Sequence, residues 1–331
     1  MRMYDFEEER VKQFLREHTA KRVAIQLPDG LKPYADKFVA TVKDAGAEAI
    51  VLAGSCYGAC DIADEMAILA KCDTLIHYGH ADMGLPTRLP TLYVEARMLL
   101  DPSSALEQAV EEMEEKRVGL ATTVQHLGYL QRASHVLRSK GIEPIIGGHG
   151  ARAKYDGQIL GCDLSCARSI ADRVDNFVYI GTGLFHPLGI SITTGKEVVI
   201  VNPISNSFEK LSSSRERFML DRKAMISRAS ACDKFGILVS IKPGQFRPEL
   251  ASRLASEFRR SGRIAEILVM DEIIPEGLED FRGFEAFVCT ACPRIAIDDA
   301  DRFNRPILNP FEAMVLIGRE SFKPYKFDEI V

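Results

Sequence analysis

Short apolar runs alternate along the chain with helical periodicity, and the alternation recurs three times. RVAIQLPDGL at Arg22, RVGLATTVQHL at Arg117 and FGILVSIKPGQ at Phe235 each begin as a β-rich run that ends in polar residues around a glutamine. Each then enters a helical pattern that stops at a glycine, followed by a second β-rich run: AGAEAIVLA around Gly46, KGIEPIIGG around Gly141 and SGRIAEILVM around Gly262. The glutamine-to-glycine spacings are 20, 16 and 17 residues (26 to 46, 125 to 141, 245 to 262). That is the length of a strand–helix–strand unit, with glycine supplying the left-handed residue at the helix end.

Two further strand candidates follow in each segment. They are DTLIHYGH and PTLYVEA in the first, NFVYIGTG and EVVIVNP in the second, and EAFVCTA and RPILNPFEA in the third. The pattern predicts an α/β protein of three similar small domains with parallel sheets, spanning residues 1–105, 106–210 and 211–331. No low-complexity linker separates them, which favours three units packed in a triangle around a central cleft. In parallel sheets the loops at the carboxyl ends of the strands carry the ligand sites.

Composition narrows the class. The 331 residues carry 42 Lys+Arg against 47 Asp+Glu, a net charge of −5 without any basic run, which argues against a protein built to grip nucleic-acid phosphates. The apolar stretches, such as 49–53 and 198–201, fall far short of the roughly 20 residues that span a bilayer. The expectation is a cytoplasmic protein with no membrane contact.

Eight cysteines then need an account, and six form close pairs: Cys56 with Cys60, Cys162 with Cys166, and Cys289 with Cys292. In a cytosolic chain of this size such pairs point to metal or catalytic sites rather than disulfides. Each pair lies in a loop at the predicted carboxyl end of a strand, so a threefold packing would bring one thiolate from each unit to the centre. Thiolates suit both iron–sulfur clusters and zinc, although six would exceed the four ligands of a tetrahedral zinc site. Cys72 and Cys232 read as core. His18 and His135 read as solvated; His126 and His149 sit in loop ends of the second unit. His77, His80 and His186 lie at strand ends where function concentrates. The loops GTGLFHPLG (Gly181–Gly189) and KPGQ (Lys242–Gln245) would allow backbone to approach a ligand, though each signal is weak alone.

Taken in order, QLPDGL (Gln26–Leu31), YGACD (Tyr57–Asp61), HYGH (His77–His80), GC (Gly161–Cys162), GTGLFHPLG, KPGQ and ACPRIAID (Ala291–Asp298) resemble the archaeal diphthamide-biosynthesis family along nearly the whole chain. The resemblance implies a homodimer in which Cys60, Cys162 and Cys292 hold a 4Fe–4S cluster with one iron open to S-adenosylmethionine. It implies a radical transfer of the 3-amino-3-carboxypropyl group to the imidazole C2 of a histidine of translation elongation factor 2, with methylthioadenosine released. An electron donor is required. Within it, Lys242 and Gln245 are expected at the methionine end of S-adenosylmethionine and the backbone from Gly181 to Gly183 near the nucleoside, with His186 also expected among the cofactor-binding residues. No separate catalytic acid or base is assigned. Cys56, Cys166 and Cys289 are not required as ligands, and no role is assigned to the Thr182 side chain.

Two other readings share parts of this pattern. Quinolinate synthase is also a triangle of three α/β domains around a three-cysteine cluster, used for dehydration. A zinc-stabilised interaction protein without catalysis would use the thiolates structurally.

Overall fold

The computed structural model describes residues 3–330. Three sheets draw their strands from successive stretches of chain. In the first, the spatial order is Glu48–Leu52, Arg22–Gln26, Thr74–Tyr78 and Thr91–Val94, all parallel. In the third it is Ile264–Met270, Lys234–Ser240, Ala286–Cys289 and Ile307–Leu308, again all parallel. The second sheet has the same parallel order, Glu143–Ile146, Arg117–Thr122, Asn176–Ile180 and Val198–Asn202. It gains a fifth strand, Ser207–Lys210, antiparallel on the last. Each sheet thus reverses its winding between its first and third strands, and the crevice at their carboxyl ends is where such folds bind ligands.

Among the described residues the twelve parallel strands of these three sheets are those the apolar pattern predicts. Gly46, Gly141 and Gly262 end their helices with φ of 86°, 77° and 86°, the left-handed conformation that the spacing requires. The antiparallel strand was not among the predicted ones: SFEK has one partly buried residue and three exposed ones, so it carries no apolar signature.

A second repeat is polar. The carboxylate before the third strand of each unit accepts the two backbone N–H groups at the start of the first strand. Asp73 Oδ2 takes those of Lys21 and Arg22 at 2.9 and 3.2 Å, Asp175 Oδ2 those of Lys116 and Arg117 at 3.1 and 2.9 Å, and Glu285 Oε2 those of Asp233 and Lys234 at 2.7 and 3.1 Å. These N–H groups lie at the very start of the sheet ladder and need an acceptor.

Apolar clusters pack both faces of the first sheet, around Phe38 and Tyr78 on one side and Leu75 and Ile62 on the other. The second sheet is likewise packed on two faces, and the third has its own core around Phe235, Phe258 and Phe287. The carboxyl-terminal segment crosses back from the third unit. Tyr325 and Phe327 join the core of the second unit, and the Ile330 N–H donates to the Cys162 carbonyl at 2.9 Å. Among the described residues no helix is long and apolar enough to cross a membrane.

Candidate metal centre

Three loops from three different sheets meet at one cavity of about 200 Å³. Cys60 comes from the loop after Glu48–Leu52, Cys162 from the loop after Glu143–Ile146, and Cys292 from the turn after Ala286–Cys289, and all three line the cavity. All eight cysteines are free thiols. Cys292 is the residue before the short helix Pro293–Ile297, whose first-turn proline needs no hydrogen-bond acceptor for a missing N–H.

The three thiols are electrostatically coupled. Burial pushes the Cys162 thiol up to about 12; Arg152 opposes this and Cys60 adds to it. Cys292 lies well above the ordinary thiol value, first through burial and then through Cys60, with Cys162 contributing further. Cys60 is also raised by burial, with a Gln245 hydrogen bond and Arg152 pulling the other way. Three thiols side by side, Cys60 buried and Cys162 and Cys292 partly buried, are poor anions by themselves, and a shared metal group is what would hold them as thiolates. Among the described residues no acidic side chain lines the cavity, whereas Arg152 and Arg294 do, so its charge suits an anionic thiolate-bound cluster. The donor set of three cysteines fits a 4Fe–4S cluster with one iron left without a protein ligand.

The KPGQ turn clamps the Cys60 loop residue by residue. The Lys242 ammonium pairs with Asp61 at 2.8 Å, both groups buried. The Gly244 N–H donates to the Cys60 carbonyl at 2.8 Å, and a Cβ on Gly244 would lie 2.5 Å from Cys60 Cβ and 2.6 Å from its Cα. Gln245 donates to Cys60 Sγ at 3.4 Å and accepts the Cys292 N–H at 3.2 Å, so one carboxamide spans two of the three cysteines. The glycine is therefore required by close approach, and the glutamine suits its position through its paired donor and acceptor.

Of the other expected positions, His186 lines the cavity with the cysteines. It also lines an adjoining cavity with Thr182 and Gly183. Gly181 sits at the strand end with its N–H on Val201 and with Tyr179 Oη 2.6 Å from where a Cβ would lie. Lys242 and Gln245 are absent from the described walls of the first cavity and stand behind the Cys60 loop. Cys166 and Cys289 are buried away from the cavity, with Cys166 Sγ 3.4 Å from the Gly147 carbonyl oxygen.

Sequence reasoning missed Arg152 and Gln125. Arg152 donates to the Gly244 carbonyl at 2.6 Å, to Met83 Sδ at 3.3 Å and to the Ile330 carbonyl at 3.1 Å, joining all three units beside the cysteines. Gln125, counted only as a marker of the repeat, donates to the Gly79 carbonyl of the HYGH segment at 2.6 Å. Its place at the same point of the repeat as Gln245 was the available signal.

A family model described as a putative diphthamide synthesis protein matches residues 27–327. The chain belongs to this family. Over 314 residues it is 38% identical to the 2-(3-amino-3-carboxypropyl)histidine synthase of Pyrococcus horikoshii, covering 94% of this chain and 90% of that one. The subunit 1 of the Gallus gallus synthase is 32% identical over 335 residues, covering 98% and 80%. The crystal structure of Dph2 from Pyrococcus horikoshii with a 4Fe-4S cluster superposes with a TM-score of 0.92 at 36% identity, covering 99% of this chain and 95% of that one. As a member of the diphthamide synthesis family the chain is an enzyme, a transferase. That membership sets aside the dehydratase and the non-catalytic zinc protein as readings of the three-cysteine pattern.

Proposed function

We propose that this enzyme transfers the 3-amino-3-carboxypropyl group of S-adenosylmethionine to the imidazole C2 of one histidine of translation elongation factor 2. The observation that carries the proposal is the meeting of Cys60, Cys162 and Cys292, one from each sheet, at a single cavity. Residues 1–105, 106–210 and 211–331 are proposed as the three units that deliver them, supported by one sheet in each. A 4Fe–4S cluster held there would supply the low-potential electron that cleaves a carbon–sulfur bond of the sulfonium.

The chain's own residues have three tasks in this reading. Gln245 and Gly244 fix the relative positions of the Cys60 and Cys292 loops, and Arg152 ties both to the second unit. Arg152 and Arg294 balance the charge of bound thiolates and offer guanidinium groups to the cofactor's carboxylate. The adjoining cavity at Thr182, Gly183 and His186 offers backbone and imidazole to the nucleoside. Orientation is the main contribution, because S-adenosylmethionine presents three carbon–sulfur bonds and the chain's residues must select one of them for cleavage. A homodimer and a separate electron donor complete the proposal.

The test is product analysis. Anaerobic cluster-loaded enzyme, reduced with dithionite in the presence of S-adenosylmethionine, is expected to release methylthioadenosine. Cys60→Ala, Cys162→Ala and Cys292→Ala are each expected to lose the cluster absorbance and this product, while Cys72→Ala keeps both. Release of 5′-deoxyadenosine as the main nucleoside would overturn the proposal.

A further inference from the structure

Cys56 precedes Cys60 by four residues, yet it faces a different set of neighbours. Its Sγ lies 4.0 Å from His77 Nε2, and that nitrogen lies 2.9 Å from His80 Nδ1. One ligand atom from each of the three residues falls within 4.8 Å of the other two. Cys56 and His77 are buried, and His80 is partly buried and lines the cysteine cavity.

The hydrogen bonds determine which lone pairs are presented. Gln26 donates its amide N–H to the Asp61 carbonyl at 2.5 Å, so its Oε1 is the acceptor for both the Ala63 N–H at 3.1 Å and His77 Nδ1 at 2.9 Å. His77 therefore carries its proton on Nδ1 and turns a bare Nε2 toward Cys56 and His80. An outer acceptor for the second ring N–H, which fixes the tautomer and aim of an imidazole, is the usual support of a histidine that ligates a metal, and here the Gln26 carboxamide oxygen takes that place. A fourth group points the same way. Tyr93 packs its ring 5.2 Å from that of His77 and lies within electrostatic reach of Cys56, and its buried hydroxyl has no hydrogen-bond partner among the described residues.

We propose that Cys56, His77 and His80 form a second metal site, for a borderline-soft divalent cation of the zinc class, separate from the three cavity cysteines. One thiolate and two imidazoles are a donor set that zinc favours. With Zn–N of about 2.0–2.1 Å and Zn–S of about 2.3 Å, tetrahedral edges would be about 3.3 Å between nitrogens and about 3.6 Å from sulfur to nitrogen. The observed 2.9 and 4.0 Å bracket these edges, so loading needs side-chain shifts of a few tenths of an ångström for those two pairs. On binding, the Cys56 thiol loses its proton to solvent and His80 moves its own from Nδ1 to Nε2, so one proton is released per ion. A water in the fourth position would be the kind of partner the Tyr93 hydroxyl lacks. The ion would pin the loop that carries Cys60 to the end of the strand Thr74–Tyr78.

This site does not depend on the cluster reading, and its test is independent of activity. Anaerobic cluster-loaded enzyme is given one equivalent of zinc and desalted, then measured by metal analysis and zinc-edge X-ray absorption. The expected result is one zinc per chain with one sulfur and two imidazole nitrogens. Cys56→Ser is expected to remove the sulfur signal and weaken zinc binding by about 100-fold, and His80→Gln to weaken it by at least 10-fold. Circular dichroism establishes that each variant is folded; because His80 is only partly buried, its variant stands as the second test should Cys56→Ser fail to fold. Failure of the wild-type protein to retain zinc, a shell of three sulfurs, or wild-type retention by both variants would overturn the proposal.

Discussion

At the scale of single residues, the site depends on contacts separated by long stretches of chain. Gly244 and Cys60 touch backbone to backbone across 184 positions (244 minus 60), and no side chain fits between them. Gln245 is expected to tune what the thiolates hold, since an N–H aimed at a ligating sulfur favours the reduced state of a cluster. Gln245→Leu should therefore retain a cluster with a lower midpoint potential, whereas Gly244→Ala should lose most of it through displacement of the Cys60 loop. Potentiometric titration followed by electron paramagnetic resonance checks both; an unchanged potential in Gln245→Leu would contradict the assignment. Such residues explain what could be read and what could not. The three cysteine pairs stood out in strand-end loops, and the threefold repeat brought one member of each toward a common centre. The choice of Cys60, Cys162 and Cys292 within the pairs came from the family resemblance. That Lys242 would pair with Asp61, and that Gln245 would bracket two cysteines instead of lining the first cavity, depends on how the third unit is turned against the first. Local periodicity holds no record of that rotation.

At the scale of elements, the pattern of apolar runs was sufficient for the parallel strands because buried parallel strands are nearly continuous in apolar residues. It was insufficient for Ser207–Lys210, which is added to the sheet by a turn at Pro203–Asn206 and keeps most of its side chains in solvent. The carboxylates that close the first-strand N–H groups are a repeat that hydropathy does not register, and they make a prediction about acid stability. Asp175 lies below its ordinary value, first because the Arg117 N–H and then its guanidinium favour the charged form. A lowered folded-state value means that its stabilisation is present above the ordinary aspartate range and is lost as pH falls through the folded value. Asp175→Asn should thus melt below the wild type at neutral pH, and the gap should close in acid as the wild-type carboxylate is protonated. Thermal melts across that range decide it; a gap that persists undiminished in acid would show that the charge is not responsible.

At the scale of the whole molecule, three sheets with one winding order each lend a loop to a common cavity, and Arg152, Gln125, Gln245 and the returning carboxyl-terminal segment tie those loops together. The third unit departs from the repeat by offering its cysteine after the third strand instead of the second. The account therefore requires an intact assembly of all three units around one cofactor site, open enough to admit a histidine carried on a protein. Binding energy from the rest of that protein can then serve the chemical step at the imidazole, which a free histidine could not supply. The most direct measurement is the intact mass of elongation factor 2 from the same source after anaerobic incubation with reduced, cluster-loaded enzyme and S-adenosylmethionine. The account predicts a gain of one 3-amino-3-carboxypropyl group on one histidine, abolished when that histidine is replaced and absent with Cys162→Ala enzyme. An unmodified factor under conditions in which the enzyme consumes S-adenosylmethionine, or efficient modification of free histidine, would contradict it.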